Sequence, residues 1–463
     1  INKKTHSLIF YKTNNINMKQ IYFMSLLFCG LMVSGSVFGQ CYQNITLSSQ
    51  EDVDSFVMNY GCTEIGGSLT IQGDDIIDLS GLSGITSIDG NLIIRYNLLT
   101  NIDGLSNLSF IQGDIKINNN NNLNNIDALS NLFFIQGDVQ IIDNYALTNI
   151  DGLAYIYTIE GNIWISENDA LNNVDALSNL FFIGGDLHLK NNGDLTNIDG
   201  LNSILSIGGD LQIQSNEALT NINGLSNLDS VGIDLKIVSN YLLTNVDGLG
   251  AILSIGGNIQ IESNGTLTNI DGLSNLASIG TDLLIWDNNA LTNIDGLNNL
   301  QTVGGSFVIF NNALTNIDGL NNLQTVGEYC SISSNHLLTY IDGFDNLNSI
   351  EKQLYIDNNN NLTNIGGLNS LSYIGEYLKI ESNHALTNID GFGNLASIGT
   401  DLLIHYNDTL NTCCIVPDLA SVTQGDVSIT NNAIGCNSLE EIIDSCDTNT
   451  ASIQSIKEKQ SVL

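Results

Sequence analysis

The residues that could carry out catalysis are few and stand apart from one another. Glu262 and Asp287 could form a carboxylate pair for general acid–base chemistry, and Cys330 could act as a nucleophile. Such chemistry needs partners, because carboxylates work with other positioned acid–base groups and a thiol needs a neighbouring base. The histidine closest in register to Cys330 is His336, in the following loop, and nothing else supports the carboxylates. We therefore predict that the protein is not an enzyme, with a polysaccharide-active β-helix enzyme as an alternative.

Metal ligands are sparse as well. His336 and His384 share a repeat register but are two repeats apart. That is about 9–10 Å if the repeats stack like strands, too far for two ligands of one zinc ion. Aspartate recurs at one position of the repeat, where it could cap its own turn or bind cations between repeats. We predict no metal site and no cofactor, and Ca²⁺ between the aspartates is the alternative. These aspartates are Asp103, Asp127, Asp151, Asp175, Asp199, Asp247, Asp271, Asp295, Asp318, Asp342 and Asp390.

An internal repeat of about 24 residues must position all of these side chains. One asparagine marks it, and Asp74 takes the same place one step earlier, which gives about sixteen coils. An inward amide can satisfy backbone groups and its own neighbours above and below, so the column is predicted to be a structural ladder. Its members are Asn97, Asn120, Asn144, Asn168, Asn192, Asn216, Asn240, Asn264, Asn288, Asn312, Asn335, Asn359, Asn383, Asn407 and Asn432.

One repeat, residues 283–305, reads LLIWDNNALTNIDGLNNLQTVGG. Leu283 and Ile285 alternate with variable residues, which is the period of a short strand. The later apolar residues are three apart and suit a chain that turns corners, and Gly304 and Gly305 are expected to free the backbone for a tight turn. One coil cannot bury its apolar set alone, whereas stacked coils share a continuous core. The pattern predicts an all-β solenoid of about 16 coils.

The segment before the repeats has the features of a secretory signal. Met18 and Lys19 precede the apolar run 21–33, which is too short to span a membrane, and small residues end at Gly39. Removal of residues 1–39 would take away four lysines and no acids, so the net charge would change from −37 to −41. The predicted order is an upstream extension (1–17), a signal peptide (18–39), an N-terminal cap (40–66), the repeat solenoid (67–410), a C-terminal cap (411–446) and a disordered tail (447–463).

Cysteines cluster at the two ends of the repeats. Export permits disulfides. The candidates are Cys41 and Cys62 at the front, and Cys413, Cys414, Cys436 and Cys446 at the back, where the pairing stays open. Cys330 takes the inward strand position of Leu283 and is predicted to be a buried free thiol. Short helices that begin near Ser49 and Ser438 are expected to cover the open ends of the stack.

The unit LxIxxNxxLTNIDGLxxLxxIGGD resembles a leucine-rich repeat and, more closely, the repeat of receptor L domains. The front segment ITLSSQEDVDSFVMNYGCTEIGGSLTIQG and the cysteines near the C-terminus are similar to the caps of secreted bacterial proteins with this repeat. The resemblance covers about residues 41–446. It implies a right-handed parallel β-solenoid and a secreted or surface binding protein of unassigned ligand, with no catalytic residues to transfer.

Two columns of variable residues are predicted to face outward from the strands. They hold both tryptophans, the only arginine and four lysines. Leu284, Trp286, Val308 and Phe310 should form one exposed apolar patch across two adjacent coils, and such patches mark contact sites. The ligand-binding candidates are Leu284, Trp286, Val308, Phe310, Trp164, Tyr355, Arg95, Lys116, Lys190 and Lys236.

These features favour a non-catalytic secreted or cell-surface protein that recognises a protein or a glycan through this face, for example in adhesion. A structural spacer at the surface is the main alternative. Ice binding by the threonine column that includes Thr220 is another, although a single file of hydroxyls lacks a parallel second column. The strong negative charge repels phosphate backbones and anionic lipid, so we predict no nucleic-acid partner and no direct membrane insertion.

Overall fold

The structure is a computed structural model that describes residues 39–446. The predicted upstream extension (1–17), the signal peptide (18–39) except Gly39, and the tail (447–463) lie outside the described residues. Within the described range no helix combines the length and the apolar character needed to cross a membrane.

One long parallel sheet, which we call the face sheet, runs through every coil. Each strand pairs in register with the strand one coil away, and the first and last strands each have a single neighbour within residues 39–446, so the sheet is open. Its 17 strands are Ile45–Leu47, Leu69–Gln72, Leu92–Arg95, Ile115–Asn118, Val139–Ile142, Ile163–Ser166, Leu187–Lys190, Leu211–Gln214, Leu235–Val238, Ile259–Glu262, Leu283–Trp286, Phe307–Phe310, Cys330–Ser333, Leu354–Asp357, Leu378–Glu381, Leu402–His405 and Val427–Thr430.

The strand Ile45–Leu47 adds one coil to the predicted sixteen. It lies in the segment predicted as the N-terminal cap, and at three residues it is too short to show a period of two in the sequence.

Two-residue parallel strands stack along a second side of the coil. The first four form one sheet: Gln40–Cys41, Glu64–Ile65, Ser87–Ile88 and Phe110–Ile111. Twelve others form another: Phe134–Ile135, Thr158–Ile159, Phe182–Ile183, Ser206–Ile207, Ser230–Val231, Ser254–Ile255, Ser278–Ile279, Thr302–Val303, Thr325–Val326, Ser349–Ile350, Tyr373–Ile374 and Ser397–Ile398.

Short 3-10 helices begin at the aspartate of most NIDGL segments and turn the chain between the sheets. They are Ser80–Leu82, Asp103–Leu105, Asp127–Leu129, Asp151–Leu153, Asp175–Asn179, Asp199–Leu201, Asn223–Leu225, Asp247–Leu249, Asp271–Leu273, Asp295–Leu297, Asp318–Leu320, Gly366–Leu368 and Asp390–Phe392. The predicted all-β parallel solenoid is therefore confirmed.

The core is a continuous apolar column inside the stack. In the coil of residues 283–305, Leu283 and Ile285 are fully buried, as are the apolar residues at the corners, such as Leu291 and Leu297. Complete burial of a Leu or Ile side chain stabilises the fold by about 1.5–3 kcal/mol relative to exposure. Because each coil contributes the same set, the fold is stabilised by stacking rather than by any single coil.

The asparagine column hydrogen-bonds each coil to the next. The Asn216 side-chain oxygen accepts hydrogen bonds from the backbone N–H (3.2 Å) and side-chain amide (3.3 Å) of Asn192. The Asn216 amide in turn donates to the Leu189 carbonyl at 3.0 Å and to Asn240 at 3.4 Å. Every polar atom of a fully buried side chain is thereby used, which is what burial of an amide requires. At the C-terminal end of the column the accepting side-chain oxygen belongs to Asn437, which accepts from the Asn432 N–H at 2.8 Å.

The glycines near the end of each repeat have a different role from the one expected. Gly304 does not adopt a positive φ, whereas Asp287, just before the ladder asparagine, has a φ of 57°. A Cβ on Gly304 would lie 2.2 Å from the Gly280 carbonyl oxygen of the preceding coil, and one on Gly305 would lie 2.2 Å from Asp282 Oδ1. The tight-turn interpretation is therefore wrong, because close approach between coils is what excludes a side chain here.

Both ends of the stack carry short helices held by disulfides. At the front are Gln50–Asp54, capped by the Ser49 side chain, and Phe56–Asn59. At the back are Val416–Val422 and Leu439–Ser445, the second capped by Ser438. The structure pairs Cys41 with Cys62, Cys413 with Cys436, and Cys414 with Cys446. In the described range Cys330 is the free cysteine, and it is buried.

Ser438 caps the helix Leu439–Ser445, but the Glu441 side chain bonds to residues before Ser438. Ser438 accepts from the Glu441 N–H at 3.1 Å. The Glu441 carboxylate reaches past Ser438 and accepts from the N–H groups of Gly435 at 2.6 Å and Asn437 at 3.1 Å. The Glu441 carboxylate thus holds Asn437 in place, the residue that ends the asparagine column.

Candidate ligand-binding face

The predicted apolar patch lies on the outward side of the face sheet. Leu284 pairs with Val308 and Trp286 with Phe310 on adjacent strands, so the four side chains share one surface. Phe310 is 41% exposed. The other three are half-buried rather than exposed, because neighbouring outward side chains cover part of each. The patch is therefore less exposed than expected, and Phe310 is its most exposed member.

A tyrosine cluster continues this surface over the next coils. Tyr355 contacts Tyr329 and Tyr377 edge-on, with ring centroids 6.4 and 5.2 Å apart, and its hydroxyl hydrogen-bonds that of Tyr377. Tyr329, Ser331, Gln353 and Tyr355 line a shallow recess. Ser331 pairs with Val308 on the adjoining strand, which joins the recess to the apolar patch. We call the patch and the cluster together the aromatic band; it comprises Leu284, Trp286, Val308, Phe310, Tyr329, Tyr355 and Tyr377.

Tyr329 and Tyr377 stand where most coils have an aspartate or asparagine. That residue directly precedes each face strand, and we call the series the flank column. Asp210, for example, accepts from the Asp234 N–H at 3.0 Å and donates its own N–H to Asp186 at 2.8 Å. The column runs Asn44, Ser68, Asn91, Asp114, Asp138, Asn162, Asp186, Asp210, Asp234, Asn258, Asp282 and Ser306, then Tyr329, Gln353 and Tyr377, then Asp401 and Asp426.

Sequence reasoning identified Tyr355 but missed its two partners. The signal was available, since GGD gives way to GEY before both Cys330 and Leu378. Burial raises the pKa of the Tyr377 hydroxyl.

The basic candidates on the face are mostly occupied by partners within the chain. Lys116 forms an ion pair with Asp114 at 2.9 Å, and Lys236 with Asp234 at 2.9 Å. Arg95 donates to Gln72 at 2.9 Å and lies over the Tyr96 ring. Lys190 makes no ion pair with any residue in the described range, and burial followed by the charge of Lys236 lowers its pKa. The face is therefore not a free cationic surface.

Trp164 and His188 form a second group on the face, away from the aromatic band. Their rings pair across adjacent strands with centroids 6.1 Å apart. The carboxylates of Asp186 and Asp210, from the flank column, lie close to His188, with one donor atom of each residue within 4.8 Å of the other two. Burial, then the charge of Lys190, lowers the pKa of His188 although both carboxylates raise it. Pairs of histidines in register do not indicate this group, because its other donors are carboxylate oxygens from a different column.

The repeated aspartate does not cap its turn. Asp295 donates its N–H to the side chain of Asn293 at 3.1 Å, and no side-chain cap is made to the 3-10 helix Asp295–Leu297. The asparagine two residues earlier therefore makes the turn, as short polar side chains do, and the capping interpretation of the aspartate is wrong. Burial and then the charges of Asp271 and Asp318 raise the pKa of Asp295.

The threonine column hydrogen-bonds within the stack. Thr220 donates its hydroxyl to the Thr196 carbonyl at 3.4 Å, and Thr244 donates to the Thr220 carbonyl at 3.4 Å. The asparagine that follows each, such as Asn245, donates to the same hydroxyl. These hydroxyls connect neighbouring coils, which favours a structural role over ice binding.

The groups considered for catalysis are held by neighbours or buried. Gln260 donates to Glu262 at 2.6 Å and Asn311 donates to Asp287 at 2.6 Å. Burial raises the pKa of the Cys330 thiol far above its ordinary value, so it stays protonated and unreactive.

Comparison with known proteins agrees with the repeat. The receptor L domain family matches residues 61–116, which include the face strands Leu69–Gln72 and Leu92–Arg95. Residues 61–116 therefore resemble a receptor L-domain repeat. The later coils repeat the same unit, and the bacterial origin suggested by the caps stays a prediction.

Solved structures add little to this conclusion. No curated protein matches the chain. One similar solved structure is the crystal structure of the TLR13–ssRNA13 complex, at 15% identity over 84% of this chain and 75% of that chain, with a TM-score of 0.21. At that TM-score the two shapes differ too much to carry an argument, so the fold rests on the strand pairing described above.

Proposed function

We propose that this is a non-catalytic binding protein of the cell exterior that recognises a protein or a glycan through the aromatic band. Receptor L-domain and leucine-rich repeats suit ligand binding and protein interaction because a stacked sheet presents a long row of independent side chains. Disulfides at both caps fit an oxidising environment. The predicted signal peptide and a role in adhesion belong to the same proposal.

The observation that carries the proposal is the change in the flank column beside the apolar patch. Elsewhere that column stabilises the stack through backbone hydrogen bonds, as Asp210 does. At Tyr329 and Tyr377 the coils give up this carboxylate and gain rings next to Tyr355. Aromatic rings with a polar tip are favoured in recognition sites, where they bury large area and keep a hydrogen-bonding group.

The chemistry of the band suits a sugar ring or an apolar protein segment rather than an anion. Trp286 and Phe310 offer aromatic surface, and Ser331 and Gln353 line the recess beside Tyr355 with hydroxyl and amide groups. The basic residues of the face lie outside the band or are paired, as Lys379 is with Glu381 at 2.5 Å.

The test is a screen of the full chain against a glycan array and a panel of biotinylated cell-surface proteins. We expect the variant with both Trp286→Ala and Phe310→Ala to lose at least about tenfold in affinity for whatever the unmodified protein binds. Tyr241→Ala is the matched control, because Tyr241 is an exposed aromatic residue outside the face sheet.

Retained affinity in the double variant, with an unchanged thermal unfolding midpoint, would exclude the aromatic band as the site. If the unmodified protein binds nothing in either screen, the structural spacer becomes the better description. Loss of affinity in Tyr241→Ala as well would indicate a site on the corner loops.

A further inference from the structure

We propose that Asp186, His188 and Asp210 form a binding site for a first-row divalent metal ion such as Zn²⁺ or Co²⁺. One donor atom from each residue lies within 4.8 Å of the other two. The donors come from two adjacent coils of the face sheet, far along the stack from the aromatic band.

The histidine nitrogen is the first reason to infer a ligand. His188 Nε2 is buried and has no hydrogen-bond partner among residues 39–446, although its side chain as a whole is 17% exposed. The nearest carboxylate oxygen, Asp186 Oδ2, is 3.9 Å away, beyond hydrogen-bonding distance. A buried polar atom without a partner costs about 1–3 kcal/mol, and a metal ion between the two donors would satisfy it.

The two carboxylates are already oriented. Asp186 Oδ1 accepts the Asp210 N–H at 2.8 Å, and Asp210 Oδ1 accepts the Asp234 N–H at 3.0 Å. Each flank-column hydrogen bond fixes one oxygen, so the second oxygen of each residue is free to coordinate. Fixing a ligand through its other atom is how protein metal sites orient their donors.

The three donors, each within 4.8 Å of the others, must draw together to hold a small ion. With bonds of about 2.0–2.2 Å, tetrahedral zinc ligands lie about 3.4 Å from one another. The Asp186–His188 separation of 3.9 Å therefore has to close by about half an ångström, within the range of side-chain rotation. One imidazole and two carboxylates suit Zn²⁺ or Co²⁺, whereas Ca²⁺ prefers six or more oxygen ligands. A fourth position would face the solvent side of the sheet.

Lys236 is the competing charge at this place. Its ammonium group is 4.0 Å from Asp210 Oδ2 but 2.9 Å from Asp234 Oδ2. It can therefore remain paired with Asp234 when Asp210 takes a metal ion. Lys190 lies on the same strand as His188 but makes no ion pair with Asp186 or Asp210.

The experiment titrates the full chain with Zn²⁺ by calorimetry, in excess Mg²⁺ to saturate weak binding to the acidic surface. A parallel titration with Co²⁺ follows tryptophan fluorescence in a Trp286→Phe background. Trp164 is then the sole tryptophan, and its ring is 6.1 Å from that of His188, so bound Co²⁺ should quench it.

Two variants remove a ligand. His188→Ala removes the nitrogen, and Asp210→Asn keeps the flank-column hydrogen bond because an amide oxygen accepts as well, as Asn162 does for the Asp186 N–H at 2.7 Å. We expect one Zn²⁺ per chain, with affinity reduced by more than about 100-fold in each variant and with the Co²⁺ quenching lost.

Two controls match these changes. Asp138→Asn alters the flank column where Gln140 replaces histidine, and His384→Ala removes a histidine that has only Asp408 beside it. Both should bind Zn²⁺ as the unmodified protein does. Absence of saturable Zn²⁺ binding in excess Mg²⁺, or undiminished binding in Asp210→Asn with unchanged thermal unfolding, would overturn the proposal.

Discussion

The asparagine column and the outward side of the face sheet belong to the same coils but differ in how much variation they contain. Asparagine holds its place from Asn97 to Asn432, while the outward residues range from His188 to Trp286 and Ser331. Each ladder amide bonds to the coils above and below, so changing one disturbs three coils. An outward side chain touches its neighbours only along its sides, so the residue type at that position can vary between coils.

The flank column is intermediate between the asparagine column and the outward residues in how much its residue type varies between coils. Its carboxylates bond between coils, as Asp186 does with Asp210, yet the four consecutive coils from Ser306 to Tyr377 do without them. The backbone pairing of the strands is unbroken there, for example between Cys330 and Leu354. The half-buried flank column can therefore lose its carboxylates, whereas the buried asparagine column keeps its amides. Tyr329 and Tyr377 occupy two of the flank positions that lack a carboxylate.

The largest effect should come from breaking the buried column. Asn216→Leu would remove the acceptor of two buried Asn192 donors and one donor to the Leu189 carbonyl. We expect a loss of about 3–5 kcal/mol in the free energy of unfolding, given about 1–3 kcal/mol for each buried unsatisfied group. Chemical denaturation followed by circular dichroism measures it. Gln214→Leu, an outward change on the same coil, is the control and should stay within about 0.5 kcal/mol; equal effects of the two would contradict the distinction between the columns.

A second effect, of about 1–3 kcal/mol, should come from widening the space between coils. A Cβ on Gly208 would lie 2.1 Å from the Gly184 carbonyl oxygen, so Gly208→Ala must push two coils apart. A Cβ on Gly265 would meet no atom within 4 Å, so Gly265→Ala should be neutral or slightly stabilising. Differential scanning calorimetry compares the thermal unfolding of the two variants. If Gly208→Ala unfolds like the unmodified protein, the coils are less closely stacked than these distances imply.

Much of the fold could be predicted from the sequence because each coil states the same pattern again. The period, the strands, the inward residues and the buried free Cys330 all follow from repetition. The role of Gly304 could not be predicted from the sequence, because both a close approach between coils and a positive φ favour glycine. The turn was likewise assigned to the aspartate of NIDGL, although Asn293 and Asp295 are both typical turn residues and only their hydrogen bonds distinguish them.

The face was harder to predict because its properties arise between columns. Trp286 and Phe310 could be placed side by side from the repeat alone, and the register agrees. Tyr329 and Tyr377 were missed because they belong to the column before the strand, which was not expected to contribute to this surface. The group around His188 was missed for the same reason, since its carboxylates come from that column.

The smallest effect concerns the exposed aspartate column, where like charges are stacked. The pKa of Asp295 is raised above its ordinary value of 3.8, so the folded protein holds this proton more tightly than the unfolded chain and loses stability as pH rises above that value. Asp295→Asn should therefore raise the stability at pH 7 by a few tenths of a kcal/mol, since the group is exposed and screened by solvent. The gain should shrink in high salt and vanish in acid below the ordinary pKa, where the carboxyl is neutral in both states.

Asn223, which occupies the same position in another coil, shows that the amide fits. A loss of stability in Asp295→Asn at pH 7 would mean that the carboxylate has a favourable partner, and a gain in stability of the unmodified protein on adding Ca²⁺ would identify that partner as a cation.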